Sequence, residues 1–146
     1  LATLGAHFQS FAQLRPHDYF AVLAFLEMKP AYREDLQAIR ARVHTRHRVA
    51  TCLDFGPRYL HSPGQLYKGG PDSGVFLQIT ADDAADLDVP GSSETFGRIK
   101  AAQAAGDLAV LRARQRRTLR VHLGRDVEAG LRHLQIAVEI ALNANR

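Results

Sequence analysis

Cys52 is the only cysteine among 146 residues, so no disulfide can form within the chain. A cysteine-rich zinc site is excluded with it, and a reducing, cytoplasmic compartment is the expectation. Long apolar runs are also missing. Phe20 to Leu26 is among the longest, far short of the roughly 20 residues that span a bilayer. The opening LATLGAHFQSF lacks a basic segment ahead of an apolar one, so no signal peptide is expected. It begins on Leu rather than Met, which predicts a processed chain or a domain cut from something longer. Glycine occurs 11 times without a period, which excludes a collagen-like repeat.

What remains is ordinary globular material. With 46% hydrophobic and 23% charged residues, the chain can bury a core and is expected to form one domain over residues 1–146. The formal charge is +4, and the excess comes from 16 Arg against 3 Lys. Such a charge supports at most weak, salt-sensitive contact with polyanions, so neither nucleic acid nor membrane is expected as a partner.

Four stretches read as strands: Tyr19 to Leu26, Val49 to Phe55, Val75 to Thr80 and Leu119 to Leu123. The first is almost continuously apolar, as in a strand buried on both faces of a parallel sheet. Helical patterns lie between them. Pro30 to Arg46 spaces Leu36, Ile39 and Val43 by three and four behind an N-terminal proline. Ser92 or Ser93 offers a cap before Phe96 and Ile99, Gly106-Asp107 reads as a break into a second helix, and Asp126 caps a helix running to Asn143. Together with a short helix at the start, this alternation predicts an α/β fold with right-handed crossovers.

The stretch from Gly56 to Gly74 holds three prolines and five glycines and reads as an irregular connection. It follows the carboxyl end of a strand, the edge at which open α/β sheets bind ligands. Within GPRYLHSPGQLYKGGPDSG stand Arg58, Tyr59, His61, Ser62, Gln65, Tyr67 and Lys68. Glycines let backbone amides approach an anion, Ser and Gln supply neutral hydrogen bonds, and Arg or Lys supplies charge for a phosphate or an enediolate. The pattern is neither a Walker loop, since Gly follows Lys68, nor a dinucleotide fingerprint.

Gly56 to Pro71 and Gly74 to Asp83 closely resemble the phosphoglucose isomerase portion of bifunctional transaldolase and glucose-6-phosphate isomerase enzymes. Asp18 to Leu26 (DYFAVLAFL) and Thr95 to Leu108 (TFGRIKAAQAAGDL) are similar to neighbouring segments of that family. The resemblance implies a layered αβα domain of the sugar isomerase (SIS) type with a mainly parallel sheet of about four strands. It implies interconversion of glucose 6-phosphate and fructose 6-phosphate without metal or cofactor, by ring opening and proton transfer through a cis-enediol. The hexose phosphate and the remaining isomerase and transaldolase segments would be the partners, and a homodimer is compatible with it.

Residue by residue, the family's ring-opening His falls on Tyr67. His61 is the nearest imidazole, and it joins Lys68 as the candidate catalytic pair. Arg58, Ser62, Gln65 and Tyr67 are the candidate substrate-binding residues. The carboxylate base in the family lies in a Glu-Ser-Thr/Asn-Gly-Lys segment absent from these 146 residues, as is the Ser/Thr cluster that binds the sugar phosphate. The chain is therefore expected to hold part of an active site and to be inactive alone. The alternative is a non-catalytic SIS-type module that binds a sugar phosphate.

Other groupings carry less. Arg40 to Arg48 and Arg112 to Arg117 read as helix ends, where cations complement the macrodipole. His44 and His47 share a helix face without a third ligand, so no metal is expected. Asp82, Asp83, Asp86 and Asp88 read as the start of a helical turn after the third strand. Glu27, just past the first strand, is the glutamate nearest the ligand-binding edge.

Overall fold

The computed structural model describes residues 2–144. Its elements run α1 (Ala2–Phe11), β1 (Tyr19–Phe25), α2 (Pro30–His47), β2 (Ala50–Phe55), a 3-10 turn (Arg58–His61), α3 (Pro63–Gly69), β3 (Gly74–Thr80), α4 (Phe96–Ala113), β4 (Arg117–His122) and α5 (Val127–Asn143). All four strands are parallel, in the order β2-β1-β3-β4. Helices cover both faces, which makes this a layered αβα fold.

Strand alternation sorts the core into two layers. Phe20, Val22 and Ala24 of β1 join Val75, Leu77 and Ile79 of β3 against α1, α2 and α5, which contribute Phe8, Leu36, Ile39, Val43, Leu131, Leu134 and Val138. Ala21, Leu23 and Phe25 turn to the opposite face with Phe76, and there meet Tyr59, Tyr67, Ala104 and Leu111. Each fully buried Leu, Ile, Val or Phe contributes about 1.5–3 kcal/mol. That explains why β1 and β3, buried along nearly their whole length, form the centre of the sheet.

Several local expectations are corrected. Gly56 to Gly74 is not irregular along most of its length, because two of its three prolines start short helical segments: Pro57 precedes the 3-10 turn and Pro63 opens α3. Gly106-Asp107 does not break a helix, since α4 runs unbroken through both residues, with Asp107 on its buried face. Its cap is Thr95 rather than Ser92 or Ser93, the Thr95 hydroxyl accepting from the Arg98 amide at 3.2 Å. The acidic run from Asp82 to Asp88 starts no helix but forms an exposed loop before α4. By contrast Asp126 caps α5 as expected, its carboxylate accepting from the Ala129 amide at 2.9 Å.

Candidate functional site

In this strand order the chain leaves β1 toward β2 over one face and returns across β1 to β3, which continues to β4 over the other. The β1/β3 junction is thus the topological switch point, where open parallel sheets form a crevice beyond their carboxyl ends. Register places Phe25, Thr80 and His122 side by side at that edge. A cleft of about 350 Å³ opens above them, bounded by the Asp82–Asp86 loop and the first turns of α4.

Proton-active groups meet here. Thr80, 6% exposed, places its Oγ1 3.0 Å from Nδ1 of His122. The other ring nitrogen, Nε2, lies 3.3 Å from Oδ1 of Asp82, both side chains being about half exposed. Lys100 pairs with Asp83. Asp86 accepts hydrogen bonds from the Thr95 hydroxyl at 2.5 Å and the Gly97 amide at 2.7 Å. Those bonds, the Thr95 one foremost, hold the Asp86 carboxyl below its usual pKa. Glycine at 97 leaves room for these carboxylates, since a Cβ there would stand 2.6 Å from Asp83 Oδ2 and 2.7 Å from Asp86 Oδ2 and would push them aside. Arg98 and Arg120 complete the cationic side of the cleft.

The residues singled out in the Gly56–Gly74 segment do not converge on one site. Lys68 points inward, its Nζ 2.5 Å from Oδ1 of Asp107, a carboxylate that is only 1% exposed. Tyr59 donates to the other oxygen of Asp107 at 2.6 Å. Tyr67 is buried and donates to Oδ2 of Asp54 at 2.5 Å. Burial, reinforced by these carboxylates, pushes both phenols far up in pKa, so each stays protonated as a donor. Gln65 donates to the Leu60 carbonyl at 3.1 Å and fastens the turn. Arg58 and Ser62 instead line a shallow groove along β2 with Met28, Arg33 and Asp54. His61 is exposed on the 3-10 turn. Glu27 is exposed and pairs with Lys29 at 3.0 Å.

Phe25 joins the segment to the cleft. Its ring packs edge-on against Tyr59 with centroids 5.8 Å apart, and it also lines the cleft wall. Gly56 permits this, since a Cβ at that position would come within 2.5 Å of the Phe25 ring.

Sequence reasoning missed Thr80, His122, Lys100, Arg98 and Arg120 as cleft residues, and placed Asp82 and Asp83 in a helical turn. The available signal was positional: Thr80-Ala81-Asp82-Asp83 ends one predicted strand and His122 lies in another. Of the basic runs, the one from Arg40 to Arg48 does close a helix, α2, but Arg116 and Arg117 lie beyond the end of α4. Arg116, its side chain only 7% exposed, donates to the Lys68 and Gly70 carbonyls and pairs with Asp72, and Arg117 in β4 pairs with Asp18 at 2.7 Å. His44 contacts the Val49 carbonyl through Nδ1 at 2.8 Å, and Arg48 closes α2 in the left-handed conformation. Among the described residues, no group of three or more His, Cys, Asp or Glu could hold a metal ion, and no helix is long and apolar enough to cross a membrane.

No family model matches the chain, and no curated protein does. Among solved structures, the crystal structure of a hypothetical protein, TT0462, from Thermus thermophilus superposes with a TM-score of 0.73 at 13% identity, covering 94% of this chain. The present chain matches only 37% of that protein's length, and the likeness extends to the α/β fold.

Proposed function

We propose that this chain is part of a phosphoglucose isomerase, of the kind joined to transaldolase, and that its share of the active site is the switch-point cleft. One observation carries the reading: His122, Asp82, Thr80 and Lys100 stand together at the end of β3, the strand formed by the isomerase-like segment Gly74 to Asp83. A sugar phosphate needs hydrogen-bonding groups for its hydroxyls and cations for its phosphate, and Arg98 and Arg120 add the latter. The rest of the isomerase supplies the carbon-proton base and the phosphate-binding segment. A cytoplasmic location accords with the unpaired Cys52.

In this reading Lys68, Tyr59 and Tyr67 are positioning residues that fix the Gly56–Gly74 segment against α4 and β2. Arg58, His61 and Ser62 face outward, where substrate or another part of the parent enzyme would meet them. One feature favours the alternative of a non-catalytic sugar-phosphate-binding module: the carboxylates of Asp82, Asp83 and Asp86 are each engaged within the cleft.

Two measurements test the proposal. Glucose 6-phosphate titrated into the 146-residue chain should shift the backbone amide resonances of residues 80–86 and 97–100, and unchanged spectra at millimolar ligand would overturn it. Isomerisation to fructose 6-phosphate by the chain alone should be undetectable. Turnover like that of a whole enzyme would refute the assignment of the missing chemistry to other segments.

A further inference from the structure

Resting on the isomerase reading, we infer that His122, not a residue of the Gly56–Gly74 segment, is the group that opens the sugar ring in this chain. Tyr67, which stands at the family's histidine position, is buried with its hydroxyl committed to Asp54. His122 sits at the switch point instead. Its Nδ1 meets Thr80, whose hydroxyl donates to a bare nitrogen and accepts from a protonated one, so the ring is satisfied in either state. Nε2, the other ring nitrogen, faces Asp82. The 3.3 Å separation from Asp82 is long for a charge-assisted bond, and both side chains are about half exposed. A substrate oxygen can therefore approach Nε2 of the imidazolium while Asp82 stays beside it.

Ring opening balances with a single histidine. The imidazolium gives its Nε2 proton to O5 as the C1–O5 bond breaks, and the freed nitrogen takes the O1 hydroxyl proton as the C1=O1 double bond forms. The product is the open-chain aldehyde, and His122 returns to its starting charge. Closure onto the other face of the aldehyde gives the opposite anomer. This half-reaction moves no proton from carbon, so it requires neither the missing carboxylate base nor a cofactor. The remaining charged groups at the cleft are Asp83 and Asp86 from the loop, Arg98 and Lys100 from α4, and Arg120 from β4 itself.

The test is anomer exchange of glucose 6-phosphate, followed by magnetisation-transfer NMR on the 146-residue chain beside the ligand titration above. The wild-type chain should accelerate exchange over buffer, and His122→Gln should lower the protein-dependent rate about 100-fold, the lower range for a general acid–base group. Asp82→Asn should retain part of the rate, because the imidazolium loses its paired carboxylate but keeps its contact with Thr80. His133→Gln, on exposed helix surface of α5, should change nothing. Binding without a His122-dependent rate would overturn the inference and leave the isomerase reading standing. Absence of both binding and exchange would overturn both.

Discussion

Removing one partner from the buried Lys68–Asp107 pair should destabilise the protein far more than replacing both. Asp107 is 1% exposed at its side chain, Lys68 is 18% exposed, and Tyr59 donates to the same carboxylate. Asp107→Leu leaves the Lys68 ammonium and the Tyr59 hydroxyl in a site lined by Phe25, Phe76 and Leu111, while Lys68→Met leaves a buried carboxylate with one neutral donor. Breaking a buried pair from one side costs about 3–5 kcal/mol, and replacing both members by apolar residues of similar volume is often close to neutral. Each single variant should therefore lose about 3–5 kcal/mol, or roughly 10–20 °C in Tm for a domain of this size. The double variant should lose clearly less than the sum, the remaining loss arising from the orphaned Tyr59 hydroxyl at about 1–3 kcal/mol. Urea unfolding of the four proteins, with coincident fluorescence and circular dichroism transitions, gives the coupling energy. Additive losses, or a single-variant loss below about 1 kcal/mol, would refute the claim that the pair fixes α3 against α4.

Acid sensitivity should come in part from Asp18. Burial raises its carboxyl pKa, but hydrogen bonds from Arg117 and the Arg15 amide, with the Arg117 charge, outweigh that and leave it below 3.8. A depressed carboxyl stabilises the fold above its unfolded pKa, and that contribution disappears as pH falls through the folded value. Asp18→Asn should therefore flatten the fall in stability below about pH 4 while lowering stability at about pH 7, as urea titrations at each pH would show. Gly97→Ala should push the Asp83 and Asp86 carboxylates aside while leaving the Thr95 cap in place, and so weaken the ligand-induced shifts at residues 97–100. Wild-type shifts in that variant would mean the ligand binds elsewhere.

The layers were legible because local rules write them. The near-continuous apolar run of β1 announces a strand buried on both faces, and the three-and-four spacing of Leu36, Ile39 and Val43 announces the inner face of α2. Boundaries failed where a tertiary contact outweighed propensity. Gly106 stays inside α4 because Asp107 beyond it is fixed by Tyr59 of the 3-10 turn and Lys68 of α3. Prolines that suggested a structureless loop instead begin helical turns whose Tyr59 and Tyr67 fill the second core layer.

By itself the sequence determined the alternation of strands and helices, the single unpaired thiol, and a polar, glycine-rich segment at a strand's carboxyl end, all local properties of neighbouring residues. Only the tertiary structure decided which of those polar groups face a cleft. Lys68 and Tyr67 looked available because their partners, Asp107 and Asp54, lie 39 and 13 residues away in the chain. His122 and Asp82, 40 residues apart, meet because β3 and β4 are parallel and in register at the same sheet edge. A parallel crossover brings distant strand ends together, and no local pattern records which side chains it aligns there.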